Sequence, residues 1–362
     1  MTILPEYPVP WAARAPLRLP DHQGHPGGKG MGLGHFSRRA AQALSILLAL
    51  AAGAAQAADA RLGFAPYVDL THDPDLAAWA KATGQKGLTL AFFNAQGACQ
   101  GGWPIPEARL MERVAAFRAA GGAVILSSGG WNADDLAERC ADTDAIANQY
   151  DAALTRLGID HLDIDAEDGD VHDNLRPAIV AARTQGLRRL QDRWDAAGKV
   201  LHLSFTLAVR PDLGMRPIDL AVLRSAVAAG VRFDVVNLMT MDYRDGKSAG
   251  RMGPQSVGGL LHVRQQLATL LPGRTDAQYW AMIAATPMIG QNDAGDEVFT
   301  LADAALLRTF ANQHGLAGLS FWQTGRDSGA CPGDGKARND CSGQDQAPNA
   351  YAKVFSGFAG RR

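Results

Sequence analysis

Only 4 of the 362 residues are cysteine, and neither a close C-x-x-C pair nor an H-x-x-x-H pair occurs, which argues against a zinc site. Basic blocks are missing too. With 35 Lys and Arg against 37 Asp and Glu the net charge is -2, so nucleic acid and other polyanions are not expected partners. There is no repeat of solenoid length, and no apolar run reaches the ~20 residues that a membrane-spanning helix needs. A G-x-G-x-x-G turn after the first strand-like run is lacking, which weighs against an open dinucleotide-binding sheet. No metal or cofactor is implied.

What remains suits one large domain: 362 residues with 47% hydrophobic content. The amino terminus stands apart. Residues 1–34 are rich in Pro, Gly and His without periodicity; Arg38 and Arg39 then precede an apolar run over residues 40–55 and the small-residue site Ala55-Gln56-Ala57. This pattern reads as an upstream extension plus a secretory signal peptide over residues 1–57, leaving a barrel over residues 58–362 that is secreted or periplasmic and carries no membrane segment. The cysteines fit export. All four lie beyond residue 57 in apparent loops, and of the three pairings that four cysteines allow, the local one, Cys99 with Cys140 and Cys331 with Cys341, is expected.

Strand-like apolar runs fall at residues 62–69, 87–94, 123–129, 161–165, 200–208, 235–242, 279–287 and 318–322, with helical patterns between them at 106–120, 133–156, 174–197, 217–228, 256–271 and 301–314. Eight strand-then-helix units in about 300 residues predict an α/β fold, a (β/α)8 TIM barrel, with its site at the carboxyl ends of the strands. The fourth run ends in Asp163, Asp165 and Glu167. Alternation along a strand puts these three on one face and Leu162, Ile164 and Ala166 on the other. Like charges so close cannot all ionise freely, so at least one should keep its proton to high pH, as a general acid must. A solvated acidic edge is the plain alternative, and a calcium loop is excluded because Asp168 stands where its turn glycine belongs. The other strand ends bring Tyr67, Asn94, Trp131, Asp242, Tyr243, Trp322 and Gln323 to the same rim. Aromatic faces over carboxylates suggest a carbohydrate cleft. Trp79 and Trp194 lie on helical patterns and are read as structural.

The segment from Asp160 to Glu167 resembles the D-G-x-D-x-D-x-E signature of family 18 glycoside hydrolases, the chitinase family, with His161 in place of the usual Gly. Ser127-Ser128-Gly129-Gly130 is similar to that family's S-x-G-G strand, Met239 to Tyr243 to its sixth-strand motif, and Trp322 to its cleft-floor tryptophan. The resemblance implies a secreted enzyme that cleaves chitin or N-acetylglucosamine oligosaccharides with retention, the substrate's own acetamido oxygen being the nucleophile. Glu167 would be acid and then base, Asp165 would hold the acetamido N–H, and Asp163 would share its proton. Asp242 would assist, and Tyr243 would reach the acetamido carbonyl from the adjacent loop position, Met241 standing in the place of the family's tyrosine. Tyr67, Asn94, Trp131, Trp322 and Gln323 would line the sugar. An endo-β-N-acetylglucosaminidase acting on glycans or peptidoglycan shares this chemistry, and a non-catalytic sugar-binding barrel usually lacks the terminal Glu. Endo or exo action and oligomeric state are not legible.

If the signal reading holds, mass spectrometry of exported protein will find a mature chain starting near Ala58 with no free thiol. An intact Met1 or four free thiols would contradict it.

Overall fold

The structure, a computed structural model, describes residues 63–132, 134–169 and 175–360. Residues 1–57, with the expected extension and signal segment, lie outside it. Eight strands pair in chain order in one parallel sheet: β1 (Tyr67–Asp69), β2 (Gly87–Ala91), β3 (Ala123–Gly129), β4 (His161–Asp165), β5 (His202–Ala208), β6 (Val235–Met239), β7 (Ile283–Thr286) and β8 (Gly318–Leu319). The sheet closes on itself. Phe64 bridges Leu319 in parallel, Ala65 N donates to Leu319 O at 3.1 Å, and Tyr67 N donates to Phe321 O at 3.0 Å. The expected (β/α)8 barrel is the observed fold.

Helices follow the strands: α1 (Leu76–Thr83), α2 (Glu107–Ala119), α3 (Thr143–Leu157), α4 (Pro177–Ala196), α5 (Pro217–Ala228), α6 (Met252–Leu270), α7 (Leu301–His314) and α8 (Ala350–Phe355). Local chemistry sets their ends. Asp142 accepts from Asp144 N and Ala145 N to start α3, Gly158 closes it at φ 63°, and proline opens α4 and α5 at their first positions, where the missing N–H costs nothing. The turn at Gly158 feeds the chain into β4. There Leu162, Ile164 and Ala166 are wholly buried in the core beneath the helices, whereas Asp163 and Asp165 face the barrel interior. Burial of each such leucine or isoleucine contributes about 1.5–3 kcal/mol, which anchors β4 by one face and leaves the acidic face no choice of direction.

Several boundaries differ from the sequence expectation. The helix expected over 133–156 is two, Leu136–Arg139 and α3, because Cys140 is extended and Asp142 caps a new start. Tyr279 and Trp280 belong to a short helix, Asp276–Trp280, capped by Thr275, so the seventh strand begins only at Ile283. β2 stops at Ala91 because Asn94–Gly97 turns away to pair with Gln100–Gly102. β6 stops at Met239, and Asp242 takes a left-handed φ of 47° that no strand tolerates. No helix among the described residues is long and apolar enough to cross a membrane.

The cysteines pair as expected. Cys99–Cys140 joins the hairpin turn after β2 to the segment before α3 across 41 residues, and Cys331–Cys341 closes a local loop of 10. Constraint of the unfolded chain grows with loop length, so each bond contributes about 2–4 kcal/mol, the longer loop about 1 kcal/mol more. Denaturant unfolding of the two double-serine variants will show the greater loss for Cys99→Ser/Cys140→Ser; the reverse order would refute the loop-length account.

Candidate active site

Parallel register explains the surroundings of the acidic strand. Ser127 of β3 and Ser204 of β5 pair in register with Asp163, while Gly129 and Thr206 pair with Asp165. All of these point inward at the same levels. Asp163 Oδ2 therefore accepts from Ser127 Oγ at 2.7 Å and from Tyr67 Oη at 2.9 Å, and Oδ1 accepts from Ser204 Oγ at 2.6 Å and from Thr206 Oγ1 at 2.9 Å. Burial pushes Asp163 up from the usual carboxylate range, and these hydroxyl donors oppose it, Ser204 most.

One step along the strand the support ends. Asp165 is buried, and its Oδ1 has no hydrogen-bond partner among the described residues. Its carboxyl is raised well above the ordinary range, first by burial and then by the charges of Glu167 and Asp163. Glu167 is half-buried at the mouth, and burial, followed by the charges of Asp168, Asp242 and Asp219, pushes it up to about 8. A carboxyl still protonated at neutral pH, beside two others that compete for one proton, can deliver a proton to a leaving oxygen.

Neighbouring loops hold this ladder in place. Gly130 N donates to Asp165 O at 2.9 Å, and Asn94 grips Gly129 by both ends, Nδ2 donating to Gly129 O and Gly129 N donating to Oδ1, each at 2.7 Å. Gly129 sits at φ 115°, and a Cβ there would fall 1.9 Å from Asp165 O, so only glycine lets β3 approach β4 so closely. Arg216, just before α5, donates to Asp168 through Nη1 at 3.0 Å and Nη2 at 2.7 Å, and to Asp219 through Nε at 2.7 Å. Asp242 Oδ1 accepts from Ala294 N at 2.8 Å, which fixes it where its charge bears on Glu167. Aromatic rings form the floor: Trp322 stacks on Phe92 at 5.8 Å with 13° between the planes, and the Tyr67 ring lies 6.0 Å from Trp322. Trp131 stands exposed at the rim, 39% accessible.

The structure thus gathers Asp163, Asp165, Glu167, Asp242 and Trp322, and gives four residues expected to face sugar other partners. Tyr67 is buried with its hydroxyl on Asp163 and Thr206. The Asn94 amide is spent on Gly129, and Gln323 donates to Asn339 O while accepting from Gly325 N, capping a short turn. Tyr243 packs in the core with its hydroxyl 3.2 Å from Ser256 Oγ in α6, so it does not reach toward a substrate. Sequence reading missed Phe92, because alternation breaks where the chain leaves β2; its neighbour Phe93 is fully buried against Trp103 and Tyr150. It also missed Arg216, for which no local signal exists, and the donors Ser204 and Thr206, which alternation on the fifth strand could have shown.

No protein-family model matches the chain. It is similar to a probable bifunctional chitinase/lysozyme of Escherichia coli (strain K12), 34% identical over 314 residues that cover 82% of this chain and 34% of that one. It is likewise similar to endochitinase 11 of Metarhizium anisopliae, 35% identical over 277 residues that cover 73% of this chain and 52% of that one. The chain therefore spans about a third and about half of these curated relatives. Among solved structures, the catalytic domain of a hyperthermophilic chitinase from Pyrococcus furiosus matches with a TM-score of 0.73 and 30% identity, covering 82% of this chain and 95% of that one.

Because the Gly129 contact is with backbone, nothing can swing aside to admit a methyl group. Gly129→Ala will lose about 3 kcal/mol or more in thermal or denaturant unfolding, whereas Gly84→Ala, at a helix end with open space around it, will lose less. Equal losses would show that the close approach is not what Gly129 supplies.

Proposed function

The chain belongs to glycoside hydrolase family 18, the chitinase family, and from that premise we propose that it hydrolyses β-1,4-linked N-acetylglucosamine polymers, chitin or chito-oligosaccharides, with retention. The observation that carries this reading is the gradient along β4 and just past its end: a carboxylate saturated with donors at Asp163, a buried oxygen at Asp165 with no partner among the described residues, and at the mouth Glu167, which burial and nearby acids push up to about 8.

Glu167 gives its proton to the glycosidic oxygen as the bond to the anomeric carbon breaks, and the acetamido oxygen of the sugar closes on that carbon. The open oxygen of Asp165 accepts the acetamido N–H. As positive charge develops on the resulting ring, Asp165 keeps hold of the acetamido N–H, and the negative charge on Asp163 behind it stabilises the cation. Water then attacks the anomeric carbon as its bond to the acetamido oxygen breaks, and Glu167, now ionised, takes the water's proton, restoring the starting states. Trp322 and Phe92 offer the flat apolar floor on which a sugar ring rests. Asp242 keeps Glu167 protonated until reaction. Two disulfides suit an oxidising compartment, and together with the amino-terminal pattern they support export to the periplasm or the medium.

The purified chain incubated with N-acetylglucosamine oligomers, with products resolved by length and anomer, will show cleavage with retention and leave cello-oligomers intact. An acid must hold its proton to act, so turnover will be present below the Glu167 pKa and fall as pH rises through about 8. Glu167→Gln will keep sugar binding and lose turnover by about 10² to 10⁴. Turnover within a few-fold of the parent, or cleavage of cello-oligomers, would reject the proposal.

A further inference from the structure

We propose that His161 is a positioning residue for the acid ladder: from the barrel floor it commits the Ser204 hydroxyl to Asp163, keeping negative charge on Asp163 and the shared proton on Asp165. The proposal rests on the hydrolase reading above, and it concerns the one place in the acidic motif where this chain carries a side chain and the family pattern carries glycine.

His161 lies two residues below Asp163 on the same face of β4, buried, and in register with His202 of β5. Its Nε2 is 3.2 Å from Ser204 Oγ, and that hydroxyl donates to Asp163 Oδ1 at 2.6 Å. A serine hydroxyl has one proton. With that proton on Asp163, Ser204 can meet the imidazole only as an acceptor, so Nε2 must carry a hydrogen. The result is a directed chain, Nε2–H to Oγ–H to Oδ1, in which each bond polarises the next. Glycine at position 161 would supply no donor, and the hydroxyl would be free to turn.

The groups facing His161 favour that arrangement. Below Asp163, β5 brings the His202 ring to 6.3 Å, and Asp234, leading into β6, lies 3.2 Å from His202 Nδ1. From β3 and β1 the Ser127 and Tyr67 hydroxyls also donate to Asp163. Asp160 precedes His161 in the chain. Ser204 stands first among the donors that offset the burial of Asp163, so fixing the direction of its hydroxyl favours negative charge on Asp163.

The test measures kcat and KM against pH on N-acetylglucosamine oligomers for the whole chain and its variants. Removing the donor makes Asp163 harder to ionise, so His161→Ala will lower kcat roughly ten-fold, leave KM within about two-fold, and move the acidic limb of the profile to higher pH. His161→Gln, which keeps an N–H of similar reach, will restore most of both. Ser204→Ala will reproduce the loss, and the His161→Ala/Ser204→Ala pair will be no worse than Ser204→Ala alone. An unmoved acidic limb in His161→Ala, or losses that multiply in the double variant, would overturn the proposal. Nitrogen-15 NMR of histidine-labelled parent protein decides the bond without reference to activity. Nε2 of His161 should stay protonated from about pH 5 to 8, and an unprotonated Nε2 would refute the chain of donors. If the parent protein cleaves no N-acetylglucosamine oligomer, the hydrolase reading fails, and the NMR result still stands for or against His161.

Discussion

Two carboxyls on one face of β4, turned inward by the burial of the opposite face, and a third just beyond the strand's end form the constraint to which the rest of the barrel answers. Their mutual repulsion and desolvation would expel charge from the interior, and the structure meets this unevenly. Asp163 is met by four hydroxyls, Asp165 has one oxygen with no donor among the described residues, and Glu167 opens toward the cleft with acids on three sides. Uneven support is what separates their roles. The arrangement costs stability in a definite pH window. Glu167 has a folded value of about 8 against an ordinary 4.5, so its contribution favours the fold most below the ordinary value and is lost as pH rises toward 8. Asp163 and Asp165 shift in the same sense, and the apolar core beneath β4 offsets that cost.

Supporting elements act by holding backbone rather than by touching the acids. Asn94, from the segment after β2, grips Gly129, and the following glycine N–H grips Asp165 O, so one amide side chain sets the height of β3 against β4. After the sixth strand, the buried Glu297 from the segment beyond β7 accepts from Tyr243 N at 2.9 Å and Arg244 N at 2.7 Å, locking the left-handed turn that presents Asp242. Arg216 does the same for the segment after Glu167 through Asp168. In each case a charge or amide with fixed geometry restrains a loop whose sequence has no regular structure to restrain it.

How much of this could be read from the residues follows from period and punctuation. The third and fourth strands were legible to the residue because long alternation or continuous apolar runs end in glycine or acid there, and α5 and α7 were legible because Pro217 and Thr300 announce them. The short strands β1, β7 and β8 were located but not bounded, since 2 to 4 residues carry too little period to mark an end. At the rim, nearness to a strand end told which residues gather but not which way each points. Tyr67 and Tyr243 have hydroxyls that satisfy interior partners, and the amides of Asn94 and Gln323 are spent on backbone. Position at a strand end does not reveal those partners. The hydroxyls of Ser204 and Thr206 were within reach of the same alternation that revealed the acids.

The central claim is that burial and crowding, and not any bound group, keep Glu167 protonated at neutral pH. The most direct measurement is a titration of the carboxyl stretch by difference infrared spectroscopy, parent protein against Glu167→Gln, across about pH 3 to 10. A protonated carboxyl absent from the variant and ionising near pH 8 is the predicted result. A difference band that ionises in the ordinary carboxylate range, near 4.5, would contradict the account.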